Sequence, residues 1–445
     1  MAPTPEEQWP LDWIDGYAAR IRPFVHVREE DRLLIKVPNE AYKLNPSGVR
    51  VLRRVLEGTS AAELLREQGG APEVRRDLYE FFTGLWHVLQ GRLPEDRAVP
   101  GVDRKPFTLG FNTLPVLSEV ALTHRCNLAC RFCYAGCGGA PAVADAMDTA
   151  AVKRVLDIIR NDAQTPSVSF TGGEPTLRAD LCELIAHARE VLGMRVNLIT
   201  NGTRVDREYA ARLAAAGLHS AQVSLEAPEA GAHDAVTRRP GSFALTLRGL
   251  ECLQKADIRV HTNTTLNRIN IEHGPAMPSF VKGLGMERFS MNLVIPAGTG
   301  REEAAEMAVT YRDAAPWLPR IQAEAVRAGV EFMWYSPTPV CIFNPIQHRL
   351  GNKGCAACDG LLSVSPEGDV LPCSSWPEPV GNLLREPFRA VWDSARACHL
   401  RAKGAAPEGC AECGDFALCQ GACPLYWDYF GCAELEETRH AAAGR

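Results

Sequence analysis

Three cysteines crowd into the eleven residues HRCNLACRFCY (124–134): Cys126, Cys130 and Cys133, spaced by three residues and then by two. Three thiolates on one loop can hold three irons of a cubane [4Fe–4S] cluster, whose irons each take one cysteine, and they leave the fourth iron open. A structural zinc site is the other reading, and it needs a fourth ligand, Cys137 or His124. The chain has 16 cysteines, none of them in residues 1–125 and ten of them from Cys341 to Cys432. The opening stretch MAPTPEEQWPLDWIDGY has no basic n-region and no apolar h-region, so it is not a secretory signal and a cytoplasmic location is expected. Thiols stay reduced there, so clustered cysteines point to metal or catalysis before disulfides.

The second concentration is CAECGDFALCQGAC, which spaces Cys410, Cys413, Cys419 and Cys423 by two, five and three residues, with Cys432 beyond. Upstream, CDGLLSVSPEGDVLPC holds Cys358, Gly368 and Cys373, and Cys355 and Cys341 precede it. Disulfides or two zinc sites are the alternatives to iron–sulfur clusters here. Residues 326–445 are rich in Gly, Pro and Cys and poor in long periodic runs, so metal is expected to supply order that a small core cannot. Cys182 and Cys252 fall in helical stretches and read as small buried apolar side chains.

These residues need elements to carry them. From 114 to 325 the pattern alternates strand and helix. Strands are predicted at 116–123, 167–171, 195–201, 219–225, 258–265 and 287–294, with helices between them such as 148–163 and 206–217. Six such repeats predict an α/β fold with a parallel sheet, open or closed into a partial TIM-type (β/α)6 barrel, whose ligands gather at the C-terminal strand ends. The three-cysteine loop follows the first strand. TGGEP (171–175) ends the second, LITNGT (198–203) the third, and SLEAPEAGAHDAVTRRPGSF (224–243) the fourth. Read alone, TGGEP is also an ordinary turn, and the Arg238–Arg239 pair is also a solvated surface pair.

The Cx3CxΦC loop, with Phe132 as its aromatic, resembles the signature of radical S-adenosylmethionine (radical SAM) enzymes. That resemblance implies that S-adenosylmethionine chelates the open iron and is reductively cleaved to a 5′-deoxyadenosyl radical, which takes a hydrogen from an unactivated substrate carbon. It implies an oxidoreductase supplied with electrons by a flavodoxin or ferredoxin. It also implies cofactor contacts from Gly172, Gly173, Glu174 and Pro175, with Glu174 near the methionine ammonium. Thr200 and Asn201 would face the adenosine, Ser224 and Glu226 the ribose, and Arg238 or Arg239 the methionine carboxylate. The family usually has Asp-Gly where this chain has Glu226-Ala227. The C-terminal cysteines resemble the SPASM extension, which implies two further [4Fe–4S] clusters and three in all. Cys410, Cys413, Cys419 and Cys432 would hold the outer one. Cys358, Cys373 and Cys423 would hold the inner one, with Cys355, or else Cys341, as its fourth ligand.

Residues 1–93 carry no cysteine and read as a separate α+β unit of winged-helix type. Short strands at 24–28, 32–37 and 40–44 are followed by three helices, the second opened by the capping box Ser60-x-x-Glu63. This segment resembles the peptide-recognition domain found with enzymes that modify ribosomally made peptides, a fold shared with the pyrroloquinoline-quinone biosynthesis chaperone. The resemblance implies that a precursor's leader peptide adds as a strand to the sheet edge. A structural appendage or dimerisation unit is the other reading. Residues 94–113 read as a linker, which gives four parts: 1–93, 94–113, 114–325 and 326–445.

The chain's 445 residues and 46% hydrophobic content suffice for sizeable cores. A net charge of −6 with mixed signs argues against nucleic acid, and no stretch of about 18 apolar residues offers a membrane span. The expected function is peptide modification. Maturation of a protein partner of the sulfatase type, or of a tetrapyrrole, uses the same clusters but leaves the first 93 residues without a role. A non-catalytic iron–sulfur protein would need no S-adenosylmethionine pocket. No general base stands out.

Overall fold

A computed structural model describes residues 4–38, 40–92, 101–102, 110–137, 147–351 and 353–443. The chain divides into two compact units, 1–116 and 117–445. Most of the expected linker lies outside the described residues.

The first unit holds an antiparallel sheet of three strands, β1 (Val25–Arg28), β2 (Leu33–Lys36) and β3 (Glu40–Lys43), in the order β1-β2-β3. Strands alternate their side chains between two faces, and the central β2 is buried on both. Leu34 packs with Ile14, Leu52, Val55, Phe82 and Leu85 in the helical core. Leu33 and Ile35 pack against Phe111 and Val116 on the other side. The three helices expected after the sheet are present at Pro46–Glu57, Ala61–Glu67 and Pro72–Leu89. Asn45 caps the first by accepting from Gly48 N at 2.8 Å, and Ser60 caps the second by accepting from Glu63 N at 3.1 Å. The expected order of strands first was incomplete. Helices Pro5–Gln8 and Asp12–Ile21 precede the sheet, and Ile14, Tyr17 and Ala18 of the second complete the core.

Arg28 and Asp31 form a buried bidentate pair at 2.8–2.9 Å in the hairpin between β1 and β2. The remaining donors of Arg28 reach Pro115 O and Leu114 O, so the pair fastens the sheet to residues 114–115. The sheet's edges are β1 and β3, and just past β3 Leu44 bridges to Val102.

The second unit is built on one ten-stranded sheet. Seven parallel strands run in sequence: β4 (Leu117–Ala121), β5 (Ser167–Thr171), β6 (Arg195–Thr200), β7 (Ser220–Ser224), β8 (Arg259–Leu266), β9 (Arg288–Leu293) and β10 (Glu331–Trp334). Each expected strand is present within about two residues of its bounds, as is common for element ends. The seventh, β10, falls inside the region read as loop-rich. So do β11 (Leu361–Val364), β12 (Asp369–Leu371) and β13 (Gly381–Asn382). β11 pairs in parallel with β4, and β12 and β13 continue antiparallel, so the cysteine-rich region extends the same sheet.

One face of β4–β9 is apolar and packed, with Val120, Val168, Phe170, Val196, Leu198, Ala221, Val223 and Phe289 buried. Half-buried Glu119, Ser169, Asn197, Gln222, His261, Asn263 and Asn292 alternate with that set. They form a polar row across the strands. Asn197 donates to Ser169 Oγ at 3.3 Å, Ser220 donates to Asn197 at 2.8 Å, and Asn263 donates to Asn292 at 2.8 Å. No helix of the described residues is long and apolar enough to cross a membrane.

Candidate functional site

The three-cysteine loop leaves β4 and is fixed along its length by backbone hydrogen bonds. Ala129 N and Arg131 N donate to Thr237 O and Val236 O, at the end of helix Ala230–Thr237. Gly173 N and Glu174 N donate to Thr123 O at 2.7 Å and Arg125 O at 2.8 Å. The two glycines of TGGEP are required at this contact. A Cβ on Gly172 would sit 2.5 Å from Thr123 O, and one on Gly173 would sit 2.3 Å from Arg125 O. Their smallness thus serves the approach of two chain segments, where the sequence suggested approach to a ligand.

Glu174 is fully buried, and its carboxylate gathers the strand ends. Oε1 accepts from Thr176 N, Thr176 Oγ1 and Thr200 Oγ1, at 3.0, 2.6 and 2.7 Å, and Oε2 accepts from Asn201 N at 2.8 Å. Burial raises its pKa, and these four donors oppose the rise. Its contacts in this structure tie β5 to β6. Pro175 starts the 3₁₀ turn Pro175–Leu177. Asn201 accepts from Thr203 N and Oγ1 and donates to Asn127 Oδ1 at 2.9 Å, which links the end of β6 to the residue after Cys126.

Ser224 ends β7, half-buried. Glu226 follows, buried, with Oε2 accepting from Thr265 N at 2.8 Å and its main-chain N–H donating to His233 Nδ1 at 3.1 Å. Burial pushes its carboxyl up to about 8. Arg238, expected at the methionine carboxylate, follows helix Ala230–Thr237 directly. It caps its helix at φ +54° and pairs with Glu303, which Arg131 also contacts. Arg239 donates to Asn127 O at 2.6 Å.

The thiols themselves are held close. Burial pushes Cys126 up to about 11 and Cys130 well up. Cys133 is the exception. The Cys137 thiol and the N–H groups of Cys137, Ala135 and Gly136 donate to it and hold it below the usual thiol range. Cys137 therefore serves Cys133 as a donor. His124, the other candidate for a fourth zinc ligand, pairs with Glu367 at 2.7 Å. Phe132 packs with Val294, Ala304 and Ala308 beside the loop. Sequence reasoning missed the opposite wall. Gly298 and Gly300 lie so near the loop that a Cβ would meet Tyr134 O at 2.4 Å and Phe132 O at 2.9 Å. PAGTG (296–300) at the end of β9 was a readable signal for that close approach.

All 16 cysteines are free thiols. In the C-terminal region they sort into two neighbourhoods. Cys355 is the hub of the first, because its charge is felt at Cys358, Cys373 and Cys423, all pushed up mainly by burial. Buried Lys403 donates to Cys355 O at 2.6 Å and to Asp359 at 2.7 Å, and Arg401 donates to Cys358 O at 2.9 Å, so two cations brace this site's backbone. The second neighbourhood holds Cys410, Cys413 and Cys419, chained by Cys413 N to Cys410 O and Phe416 N to Cys413 O. Cys341 joins it: burial pushes its thiol up to about 11, and Cys419, Cys410 and Cys413 add to the rise. A cubane cluster takes one thiolate per iron, so soft-donor sets of this kind suit it without converging on one point.

Glu119 connects the two cysteine regions. On β4 it accepts from Ser363 Oγ of β11 at 2.7 Å and from Ser374, next to Cys373, and burial raises its pKa. Its charge is felt at Tyr134 and at Cys373.

Comparison with known proteins gives this geometry a family. Residues 120–275 match the radical SAM superfamily, and residues 355–414 match SPASM, an iron–sulfur cluster-binding domain. The AdoMet-dependent heme synthase of Methanosarcina barkeri is 28% identical over 334 residues, covering 70% of this chain and 92% of the relative. The PqqA peptide cyclase of Xanthomonas euvesicatoria is 29% identical over 316 residues, covering 70% and 82%. In fold, the chain resembles Streptococcus suis SuiB bound to its precursor peptide SuiA. The TM-score is 0.66 at 15% identity, over 91% of this chain and 95% of SuiB. Iron–sulfur clusters and S-adenosylmethionine are the cofactors that these two domains bring. The chain thus carries a radical SAM domain, residues 120–275, and an SPASM domain, residues 355–414.

Proposed function

We propose that this enzyme matures a ribosomally made precursor peptide, forming a crosslink or another modified residue. The observation that carries the reading is the N-terminal unit. It is a three-stranded antiparallel sheet with helices and a core of its own, in a unit separate from the one that holds the cysteines. A sheet edge is a template for an added strand, and an extended leader bound there gains main-chain hydrogen bonds for affinity and side-chain pockets for selectivity. SuiB, similar in fold over both units, was solved with a precursor peptide, and PqqA peptide cyclase also points to peptides. The polar row on the large sheet agrees. Asn, Gln and Ser side chains match the amide groups of a peptide, whereas a tetrapyrrole's carboxylates call for fixed cations.

In this reading residues 1–93 recognise the leader, 114–325 carry the chemistry and 326–445 hold auxiliary clusters. Cys126, Cys130 and Cys133 would hold the first of three [4Fe–4S] clusters, and Cys355, Cys358, Cys373 and Cys423 the inner auxiliary one. Cys410, Cys413, Cys419 and Cys432 would hold the outer one. When bound, the first cluster and S-adenosylmethionine supply the radical that takes a substrate hydrogen. The chain's part is positioning and exclusion of water. The Phe132, Val294 and Ala304 cluster walls the loop, and Glu174 and Asn201 set the strand ends. A flavodoxin or ferredoxin would deliver the electron.

The heme synthase relatives favour a second reading, with a tetrapyrrole substrate. Deletion of residues 1–116 separates the two. Peptide modification should vanish while uncoupled S-adenosylmethionine cleavage continues, and the isolated unit should bind the leader with weak salt dependence. Full-rate peptide modification by residues 117–445 would put the tetrapyrrole reading ahead.

A further inference from the structure

Beside the three-cysteine loop lies a pocket of about 330 Å³, lined by Asn127, Arg204, Asp206, Arg239, Leu245 and Arg248. Three separate stretches bring the arginines together. Arg204 sits in the turn after β6, Arg239 two residues past helix Ala230–Thr237, and Arg248 on helix Ser242–Lys255, three residues beyond Leu245. Asn127, the residue after Cys126, ties the pocket to the loop. Its carbonyl accepts from Arg239 Nη1 at 2.6 Å, and its side chain donates to Thr203 Oγ1 at 2.8 Å. The one carboxylate in the lining, Asp206, accepts from Tyr209 N at 2.8 Å as the cap of helix Arg207–Ala215. Arg204 and Arg248 are exposed and make no ion pair with any described residue. Three guanidinium groups against one carboxylate make a positive face on a chain of net charge −6.

The C-terminal cysteines lie in the opposite field. From Gly404 to Gly431 the chain carries Glu408, Glu412, Asp415 and Asp428 and no lysine or arginine. Unlike charges steer two proteins together and like charges keep them apart. An acidic partner is therefore drawn to the arginine pocket and turned away from the outer cysteines. We propose that this pocket is the docking site of an acidic one-electron carrier of the ferredoxin type, and that the electron enters the enzyme here, beside Cys126. The proposal rests on the reading that Cys126, Cys130 and Cys133 hold the first cluster. Electron transfer slows steeply with distance, so a docking face one residue from a cluster ligand is well placed. One electron leaves the carrier's reduced iron–sulfur centre, which is oxidised, and lowers the charge of the first cluster by one. No covalent bond forms or breaks, and no proton moves. Redox encounters are small and transient, which suits a pocket with a charged rim and a single apolar residue, Leu245.

The test compares two charge-reversed pairs in the full chain. One is Arg204→Glu with Arg248→Glu, and the other is Arg385→Glu with Arg396→Glu, a control of equal net charge. Affinity for oxidised ferredoxin is measured on the metal-free chain and on the loaded enzyme. It should fall about tenfold or more in the pocket pair and less than about twofold in the control pair. Wild-type affinity should weaken as salt rises from about 50 to about 200 mM. In stopped flow, reduction of the loaded enzyme by reduced ferredoxin should slow by a similar factor in the pocket pair. Reduction by dithionite, and the S-adenosylmethionine cleavage that it drives, should keep wild-type rates in both pairs. Equal loss of affinity in the two pairs overturns the docking site, and so does ferredoxin binding at wild-type strength in the pocket pair. Slower reduction by dithionite in the pocket pair would show damage at the loop itself and also overturns it. Wild type that dithionite reduces without S-adenosylmethionine cleavage is a different result: it removes the cluster reading, and the docking site with it.

Discussion

The two cysteine regions of this chain are organised by different forces. The loop of Cys126, Cys130 and Cys133 lies on the ends of packed parallel strands, and Thr123, Arg125, Ala129 and Arg131 each make backbone hydrogen bonds to a neighbouring element. Glu174, Asn201 and Asn127 cross-link the strand ends beneath it. Several of the C-terminal cysteines instead sit in or beside turns. Cys358, Lys403, Gln420 and Ala422 adopt positive φ without being glycine, a conformation that costs about 1–2 kcal/mol each. A site held by its scaffold keeps its shape when metal leaves, whereas a site held by strained turns depends on the metal for order.

The largest expected effect breaks the first site alone. Changing Cys126, Cys130 and Cys133 together to Ala should abolish S-adenosylmethionine cleavage and remove about one third of the iron. The thermal midpoint should scarcely move, and a collapse of the midpoint would show that this loop also needs its metal. Chelating all iron comes next. Limited proteolysis should then cut between residues 400 and 432 well before it cuts 122–137, and equal cutting would erase the contrast. Glu174→Gln is a smaller change that strikes the scaffold. It turns an acceptor of four donors into a group that presents N–H to one of them, so a loss of about 1–3 kcal/mol in stability is expected, read by denaturant unfolding. Gly298→Ala is the finest probe. Its Cβ would meet Tyr134 O at 2.4 Å with φ at +52°, so the Cys133 segment must shift. S-adenosylmethionine cleavage should fall about tenfold or less, with iron content unchanged.

Much of this was legible in the sequence because local signals and global fold agree. The strands from 116 to 294 were marked by β-branched runs and by the glycine-rich ends that follow them. The residues that escaped notice depend on partners far along the chain. Helix Asp12–Ile21 shows only a short stripe, Ile14, Tyr17 and Ala18, and what makes it an element is packing on residues as distant as Phe82. Arg238 has Asp234 four residues before it, yet its ion pair is with Glu303, 65 positions on. Glu119 drew no notice in the sequence, because its partner Ser363 on β11 lies 244 positions on.

The pairing of β4 with β11 also fixes an order of events during synthesis. β4 is complete on one side once residues 167–171 have emerged, but its other side waits for residues 361–364, about 190 positions later. Translation at roughly 5–20 residues per second leaves that edge unpaired for tens of seconds. Through that interval the strand that launches the three-cysteine loop is a bare template for mispairing, and contacts of such long range also form slowly. Closure of the sheet beside the three-cysteine loop is therefore a late event, which comes only after residues 361–364 have been made.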